Sequence, residues 1–472
     1  MGNLTALAVM GEFVDVDLGH KRREQRLERV VAAIATKPDV SFPEATGSDA
    51  ELEGLYRLLN NRAVKPDRLL EPHVVQTVQR ATMCSEPVVV VAHDTTGFVY
   101  EGSGREGLGL MLKSEQGFYG HFSLAVSPNE NREPLGVLSF LPVVRKRQYA
   151  SQTVTAAQRN PEKEYARWLK GIDLVEQAVG GATRVVHVAD RESDSYEIIS
   201  GLVRNARGFV LRLRFDRNVM AENEATKLFT LLDSAQGVTE REVPLQFRKA
   251  PRGAASRKLH PPRDARLATL AFSAMRVRLP RTRGLLRRDY PDFVEVNVVR
   301  VWEPSPPEGE EPIEWKLVTS EPVDSPEQIL KVADYYRCRW RIEEFNKALK
   351  TGCRVEGRQL IRLDALLNMI AIMTPIAWAI LRLRTLANAA EPVAASVVLT
   401  AEQLSVLSAH PKTQERFPAN ASGTCRDALH AVAALGGHLK RNGAPGWITL
   451  LRGYKTLIDL ALGWSLSRSA GS

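Results

Sequence analysis

Cysteine is scarce in this sequence. The four cysteines among its 472 residues are scattered, and no two of them form a CxxC pair. This spacing argues against a structural zinc site, which draws on closely spaced cysteine or histidine ligands. It also favours a reducing compartment, because disulfide frameworks belong to oxidising ones.

Long uncharged apolar runs are also lacking. The short apolar run at the N-terminus is followed by acidic residues from Glu12 onward, too soon for a secretory signal. The most membrane-like stretch, Leu363 to Leu381, contains Asp364, Asn368 and Pro375. It is therefore predicted to be a buried core helix rather than a membrane span. Together these absences predict a soluble cytoplasmic protein without a membrane partner.

The composition is that of a basic globular protein. Hydrophobic residues make up 44% of the chain and charged residues 25%, which is enough apolar material for a sizeable core. A chain of this length is predicted to form about two to four domains. The net charge of +9 and the isoelectric point near 9.4 indicate a polyanionic partner such as nucleic acid.

Hydrophobic patterning divides the chain into three predicted domains. Residues 1–75 carry helical patterns and form a module whose basic end is suited to phosphates. Residues 76–370 alternate β-branched runs with helices, which predicts an α/β core with a mixed sheet and helices on its faces. Residues 215–315 are predicted to be a β-rich insertion in this core, and residues 371–472 to be helical. The basic loop from Arg248 to Arg266 has no assigned role.

The segment YYRCRWRIEEFNKALK, residues 335–350, is predicted to be one amphipathic helix because it lacks glycine and proline. One stripe of this helix is apolar and comprises Cys338, Ile342, Phe345 and Leu349. The opposite face is polar, is expected to point outward, and comprises Tyr336, Arg339, Glu343, Lys347 and Lys350. A solvated face with an i,i+4 pair between Glu343 and Lys347 would explain this pattern. A surface that binds phosphates would explain it as well.

Two buried strands are each predicted to end in an aspartate. VVVVAHD ends at Asp94 and VVHVAD at Asp190. Residues just past strand ends line the functional crevice of an α/β sheet, although aspartate is also common there as a turn or cap residue. With Glu343 as third carboxylate, these residues could share Mg²⁺ or Mn²⁺, hard cations that prefer oxygen ligands. Arg339 and Lys350 would then hold the phosphates of a phosphodiester substrate.

Three motifs resemble those of the Tn5-type transposases of the IS4 family. They are DTT from residue 94, DRESD from residue 190, and YRCRWRIEEFNKALKTG on the predicted helix. That family has a DDE active site in an RNase H-like core. Its helix signature is matched without gaps by Tyr336, Arg339, Glu343 and Lys350. LGHKRREQRL resembles the end-binding helix of the family, WKLVTSEPV resembles its strand before the catalytic helix, and residues 431–460 resemble its C-terminal dimerisation region.

The resemblance implies a role for each candidate site residue. The catalytic metal ligands would be Asp94, Asp190 and Glu343. The side chains that bind phosphates at the transposon end would be Tyr336, Arg339, Lys350 and Arg212. Trp315 would stack on a flipped base, as an indole can do. The contacts with end DNA in the N-terminal helix would be Arg22, Arg23 and Arg26.

The function implied by the resemblance is that of a cut-and-paste DNA transposase. It would act on transposon ends and target DNA in the bacterial cytoplasm, at the nucleoid. Cleavage would depend on Mg²⁺, with Mn²⁺ as a substitute, and a homodimer would assemble on the DNA. Two alternatives stay open: a catalytically idle relative that occupies the ends and blocks transposition, and a plain metal-dependent nuclease. The intact carboxylate set disfavours the idle relative, because carboxylates without a metal repel phosphate.

Overall fold

The computed structural model describes residues 7–36, 40–102, 104–111, 115–145, 164–221, 224–245, 247–248, 262–286, 289–439, 441 and 443–470. The chain forms two compact units. Unit 1 comprises Met1–Gln152, Lys170–Arg184 and Trp340–Ser472, and unit 2 comprises Thr153–Leu169 and Val185–Arg339. The predicted three-domain division stays a prediction. Its boundaries near residues 75 and 370 fall inside the helices Pro66–Thr82 and Leu363–Ala387.

The chain begins and ends in helices, and strands and helices alternate between them. The helices are α1 (Leu7–Met10), α2 (Lys21–Thr36), α3 (Phe42–Ala45), α4 (Asp49–Leu59), α5 (Pro66–Thr82), α6 (Glu164–Val179), α7 (Tyr196–Arg204), α8 (Leu228–Ser234), α9 (Pro326–Arg337), α10 (Trp340–Lys347), α11 (Leu363–Ala387), α12 (Ala401–Ala409), α13 (Cys425–Leu435) and α14 (Trp447–Ala470). The strands are β1 (Val89–Tyr100), β2 (Gly109–Leu110), β3 (Gln116–Val126), β4 (Pro134–Val143), β5 (Val185–Ala189), β6 (Gly208–Arg212), β7 (Asn218–Ala221), β8 (Glu224–Lys227), β9 (Thr239–Leu245), β10 (Arg266–Pro280), β11 (Phe293–Trp302) and β12 (Glu314–Thr319). The predicted α/β class with helical N- and C-terminal regions is confirmed.

Helix boundaries coincide with local capping signals. The Ser48 side chain accepts a hydrogen bond from the Glu51 N–H and so begins α4, and Ser325 with Gln328 forms a capping box at α9. Proline occupies the first turn of α5, where its missing N–H costs nothing. These signals lie within a few residues of the helix start, because a cap acts on the first turn alone.

Unit 1 is built around the long apolar helix α11. This helix is long and apolar enough to cross a membrane, but 89% of its most apolar stretch of 18 residues is buried within the protein. It packs against α5, α13 and β4. The prediction of a buried core helix is therefore confirmed.

The strands of unit 1 form an antiparallel arrangement centred on β3. Strands β1, β2 and β4 all pair with β3. The first residues of β1, Val89 to His93, are buried, whereas the residues from Asp94 to Gly97 are half-buried. This change along β1 brings polar side chains to the accessible part of the strand.

A buried polar cluster joins the N-terminal segment to the rest of unit 1. Glu12 contacts His73 Nδ1 at 2.5 Å and accepts two hydrogen bonds from Arg80, at 2.7 and 3.1 Å. His73 Nε2 accepts from the Val137 N–H at 3.0 Å, so Nδ1 carries the proton and donates to Glu12. The Arg80 guanidinium lies 4.2 Å from the centre of the Trp378 ring. The cluster satisfies charges that would be costly to bury alone.

Unit 2 contains a mixed sheet with the strand order β5-β6-β12-β11-β10-β7-β8, and β9 pairs with β10. Strands β5 and β6 are parallel and are joined through α7, whereas β6, β12, β11 and β10 are antiparallel neighbours. Helix α9 packs against β5, β6 and β10. The predicted β-rich insertion thus contributes its long strands β10 and β11 to the same sheet as β5 and β6.

Candidate active site

The predicted site residues are divided between the two units. The unit 1 group comprises Asp94, Glu343 and Lys350, and the unit 2 group comprises Asp190, Arg212, Trp315, Tyr336 and Arg339. The segment 335–350 was expected to be one helix, but α9 ends at Arg337 and α10 begins at Trp340. At this junction the N–H groups of Cys338 and Arg339 bond three residues back, to Tyr335 and Tyr336. The single-helix prediction is therefore wrong at this turn.

Asp94 lies in the middle of β1 rather than at its end. The strand was expected to stop at Asp94, but it continues to Tyr100 because β3 pairs with it from Asp94↔Phe122 to Tyr100↔Gln116. The carboxylate is half-buried, and its Oδ2 accepts a hydrogen bond of 2.7 Å from Asn346 Nδ2. Asp94 is thus oriented by an amide of α10.

Glu343 is positioned by the packing of α10 against β1. The apolar stripe of this helix is buried as predicted, and Phe345 meets the ring of Phe122 edge-on at 5.4 Å. Glu343 is half-buried and precedes Asn346 by three residues, so the two side chains are neighbours on one helix face. Two of the three predicted carboxylates therefore belong to elements that pack together within unit 1.

Lys350 lies in a π-helical turn, Ala348–Gly352, that continues α10. Its Nζ donates to the Gly97 carbonyl oxygen at 2.7 Å and lies 3.3 Å from Glu356 Oε1. The same Glu356 oxygen accepts from the Val99 N–H at 2.9 Å. Lys350 thus connects the helix to β1, and its predicted contact with phosphate stays a prediction.

Sequence reasoning missed Asn346 and Glu356. Asn346 is 8% exposed and contacts a residue 252 positions away in sequence. Its spacing of three residues from Glu343 on a predicted helix was the available signal, but that spacing does not identify Asp94 as its partner. Glu356 lies beyond the helix signature, where no pattern distinguishes it from a surface charge.

Asp190 directly follows β5, as predicted. It is the N-cap of the short 3-10 turn Arg191–Ser193, and its Oδ1 accepts from the Glu192 N–H at 2.9 Å. Asp190 therefore serves as a cap at a strand end, the structural role that its position in the sequence also allowed. A cap uses one carboxylate oxygen and is compatible with a second role.

The aromatic and basic residues of unit 2 form a buried cluster. Tyr336 is 0% exposed and Arg339 is 6% exposed, so the expectation that both point outward is wrong. Tyr336 meets the Trp315 ring edge-on at 5.6 Å, and the Arg339 guanidinium lies 5.9 Å from the centre of the Tyr336 ring. Tyr336 is covered because α9 packs onto the sheet of unit 2. Trp315 is half-buried, and its stacking on a base stays a prediction.

Burial changes the titration of this cluster. Desolvation raises the pKa of Tyr336, although the nearby guanidinium groups of Arg339 and Arg212 act to lower it. Desolvation also lowers the pKa of Arg212, whose Nη2 donates to the Glu314 carbonyl oxygen at 3.2 Å. Two partly desolvated cations beside a neutral phenol would attract a phosphate strongly, because screening by water is reduced there.

The N-terminal arginines differ in their surroundings. Arg22 is exposed, whereas Arg23 donates from Nη1 to the Leu18 carbonyl oxygen at 2.8 Å. The Arg26 guanidinium lies against Gly54 of α4, in space that a side chain at residue 54 would need. Arg22 is thus available for DNA, while Arg23 and Arg26 also hold the local structure together.

Arg248 pairs with Arg263 through their backbones, and residues 249–261 of the basic loop lie outside the described residues.

The three predicted metal ligands suit a divalent cation in donor type, because each supplies carboxylate oxygens. Among the residues that the structure describes, no group of three or more His, Cys, Asp or Glu side chains is gathered closely enough to hold a metal ion. The joint use of Asp94, Asp190 and Glu343 therefore stays a prediction that rests on their chemistry and on the helix signature.

Two family models match the chain. The model of the transposase DDE domain matches residues 143–379, about half of the chain, and the model of a transposase DNA-binding region matches residues 6–64. The chain belongs to the DDE transposases. Its mixed α/β fold is accordingly that of an RNase H-like core, and DNA is its partner. Transposase domains of this kind use divalent metal ions. The DDE match contains Asp190 and Glu343 and begins after Asp94.

Proposed function

We propose that this protein is a Tn5-type transposase of the IS4 family that moves DNA by a cut-and-paste route. It binds transposon ends, nicks them hydrolytically, forms and opens a hairpin, and joins the freed end to target DNA. The observation that carries the proposal is the hydrogen bond from Asn346 to Asp94, one helical turn after Glu343, in a chain that belongs to the DDE transposases. Short inverted repeats around its reading frame would supply the substrate.

The proposed metal ligands are Asp94, Asp190 and Glu343, with Mg²⁺ as the cofactor and Mn²⁺ as a substitute. Bound divalent ions would supply the Lewis acidity that activates water or a 3′-OH and stabilises the leaving oxygen in an in-line displacement. Two sets of contacts within unit 1 support this proposal. Asn346 orients Asp94, and Lys350 with Glu356 holds β1 beside the end of α10.

In this proposal, basic and aromatic side chains hold the DNA. Arg212 and Arg339 meet phosphates at the transposon end beside Tyr336, and Trp315 stacks on a base flipped out during hairpin formation. Arg22 contacts end DNA from the exposed start of α2. Two ends must be held together for strand transfer, so a homodimer assembles on the DNA in the bacterial cytoplasm.

The experiment is a cleavage and joining assay with the purified full chain. A labelled duplex that carries the sequence flanking the reading frame is incubated with Mg²⁺ and a supercoiled plasmid. We expect nicks with free 3′-OH ends, hairpins visible on a denaturing gel, and label transferred to the plasmid. Binding without cleavage would instead indicate the idle regulator, and cleavage without joining would indicate the plain nuclease. Either result contradicts the proposal.

Replacing Asn346 by alanine will weaken the binding of Mn²⁺ by roughly 10- to 100-fold, the usual cost of losing a partner that orients a metal ligand. The Asp94 carboxylate loses its 2.7 Å hydrogen bond and is no longer fixed toward the metal. Titration of Mn²⁺ followed by electron paramagnetic resonance measures this affinity without relying on turnover. The control is Lys347→Ala, which changes the next and exposed residue of the same helix. Equal Mn²⁺ affinity in the two variants would show that Asn346 does not orient a metal ligand.

A further inference from the structure

Unit 1 contains a polar cavity of about 840 Å³. None of the roles proposed above uses it. Three parts of the chain line it. The N-terminal part contributes residues 40–44 and Tyr56, and the part after α10 contributes Arg354 and residues 357–359. The C-terminal part contributes Leu435, Gly436, Arg452, Lys455 and Thr456. The cavity is large enough for a sugar-phosphate unit together with its water.

The charge of this cavity is strongly unbalanced. Among the residues that the structure describes, its lining contains four cationic side chains and one carboxylate, that of Glu44. The cations are Arg354, Arg358, Arg452 and Lys455. Within the part of the chain that the structure describes, neither Arg354 nor Lys455 forms an ion pair with a carboxylate. No described carboxylate neutralises these two charges, which favours the binding of an anion in the cavity.

One of the four cations is built into the protein. Arg358 is 4% exposed, donates to the carbonyl oxygens of Val40 and Cys353, and lies 4.8 Å from the centre of the Phe42 ring. Arg358 thus joins the segment that follows α10 to the segment that precedes α3. Arg358 is therefore fixed in place at the wall of the cavity.

The backbone at Arg354 is held in an unfavourable conformation. Its φ of 49° and ψ of 42° lie in the left-handed region, which costs a residue other than glycine about 1 kcal/mol. The turn is closed by the Gly357 N–H, which donates to the Arg354 carbonyl oxygen at 3.0 Å. Glycine or asparagine would occupy this position at lower cost. This turn places an exposed arginine side chain at the wall of the cavity.

We propose that this cavity binds a backbone phosphate of DNA. Val40 to Tyr56 belong to the matched DNA-binding region, and Arg354 follows Lys350 by only four residues. A phosphate held by Arg354 and Lys455 therefore contacts the DNA-binding region and the end of the catalytic helix at once. This fixes the distance along the DNA between the bound end sequence and Glu343. The proposal rests on DNA binding by the family and not on the cut-and-paste route.

The test compares two double variants that remove equal charge. Arg354→Ala with Lys455→Ala alters the cavity, and Lys331→Ala with Lys412→Ala alters exposed lysines elsewhere. Binding of a labelled end duplex is measured as a function of NaCl concentration. Loss of one phosphate contact reduces the slope of log K against log [salt] by about 0.9. We expect this reduction for the cavity variant and the slope of the parent for the control.

Substituted DNA identifies the phosphate. Single phosphates along the duplex are replaced, one at a time, by uncharged methylphosphonates. At the phosphate that the cavity binds, the replacement should weaken binding of the parent but should not weaken binding of the cavity variant any further. Slopes that are equal in the two double variants overturn the proposal. A parent that binds no duplex DNA overturns both this proposal and the proposed function, whereas normal binding with an unchanged slope overturns this proposal alone. Equal melting temperatures show that the variants are folded.

Discussion

Glu343→Gln will bind duplex DNA as the parent does but will cleave it roughly 10³-fold more slowly or worse. The change removes one anionic oxygen from the proposed metal site, and metal ions of this kind contribute several kcal/mol to the transition state. Asp94→Asn and Asp190→Asn should show the same loss of cleavage, also with unchanged DNA binding. Asparagine retains the capping ability of Asp190, so loss of activity in that variant reports on the carboxylate charge rather than on the turn. Rates are measured with an end-labelled duplex and saturating Mg²⁺.

The matched control is Glu344→Gln on the same helix. Glu344 is paired with Arg341 at 2.6 Å and is not among the predicted ligands. A pair that is partly exposed contributes about 1 kcal/mol at most, so we expect cleavage close to that of the parent. If Glu343→Gln cleaves as fast as Glu344→Gln, Glu343 is not a metal ligand and the site assignment is wrong.

Glu12→Ala will destabilise unit 1 by about 3–5 kcal/mol, the usual cost of breaking a buried ion pair by removing one partner. The Arg80 guanidinium loses two hydrogen bonds, and the His73 N–H is left buried without an acceptor. Urea denaturation followed by tryptophan fluorescence measures the free energy of unfolding. Glu53→Ala removes the exposed pair with Arg57 and should cost less than about 1 kcal/mol. Equal costs in the two variants would contradict a stabilising role for the cluster.

The same cluster predicts a loss of stability in acid. Burial lowers the pKa of His73 below its ordinary value of 6.5, despite the opposing hydrogen bond with Glu12. Burial alone would raise the pKa of Glu12, but the contacts with His73 and Arg80 lower it below 4.5. Both groups bind protons more readily in the unfolded chain, so the free energy of unfolding falls as pH drops below about 6.5 and again below about 4.5. His73→Gln should flatten the first of these changes.

The helices and the carboxylate candidates could be predicted from the sequence because their signals are local. Caps such as Ser48, the apolar stripe of α10, and the spacing from Tyr336 to Lys350 all lie within one or two dozen residues. The end of β1 could not be predicted in this way. Asp94 resembles a strand terminus in sequence, and only its pairing with Phe122 of β3 shows that the strand continues.

Burial of the polar helix face was likewise not predictable. Tyr336 and Arg339 carry the same periodicity as a solvated surface, and a single helix cannot reveal which of its faces another element covers. The burial of Tyr336 follows from the packing of α9 on β5, β6 and β10. The partners of the site residues were hidden for a related reason, since Asn346 and Lys350 contact β1 across 252 and 253 residues of sequence.

The sequence by itself determined the basic character of this transposase, its α/β class with helical N- and C-terminal regions, and three acidic residues as candidate metal ligands. Those properties follow from residue type and short-range periodicity. Only the tertiary structure decided that Asn346 orients Asp94, that Lys350 bonds to Gly97, and that cations from separate segments surround one cavity. Contacts between distant segments depend on how whole elements pack, and no local pattern contains that information.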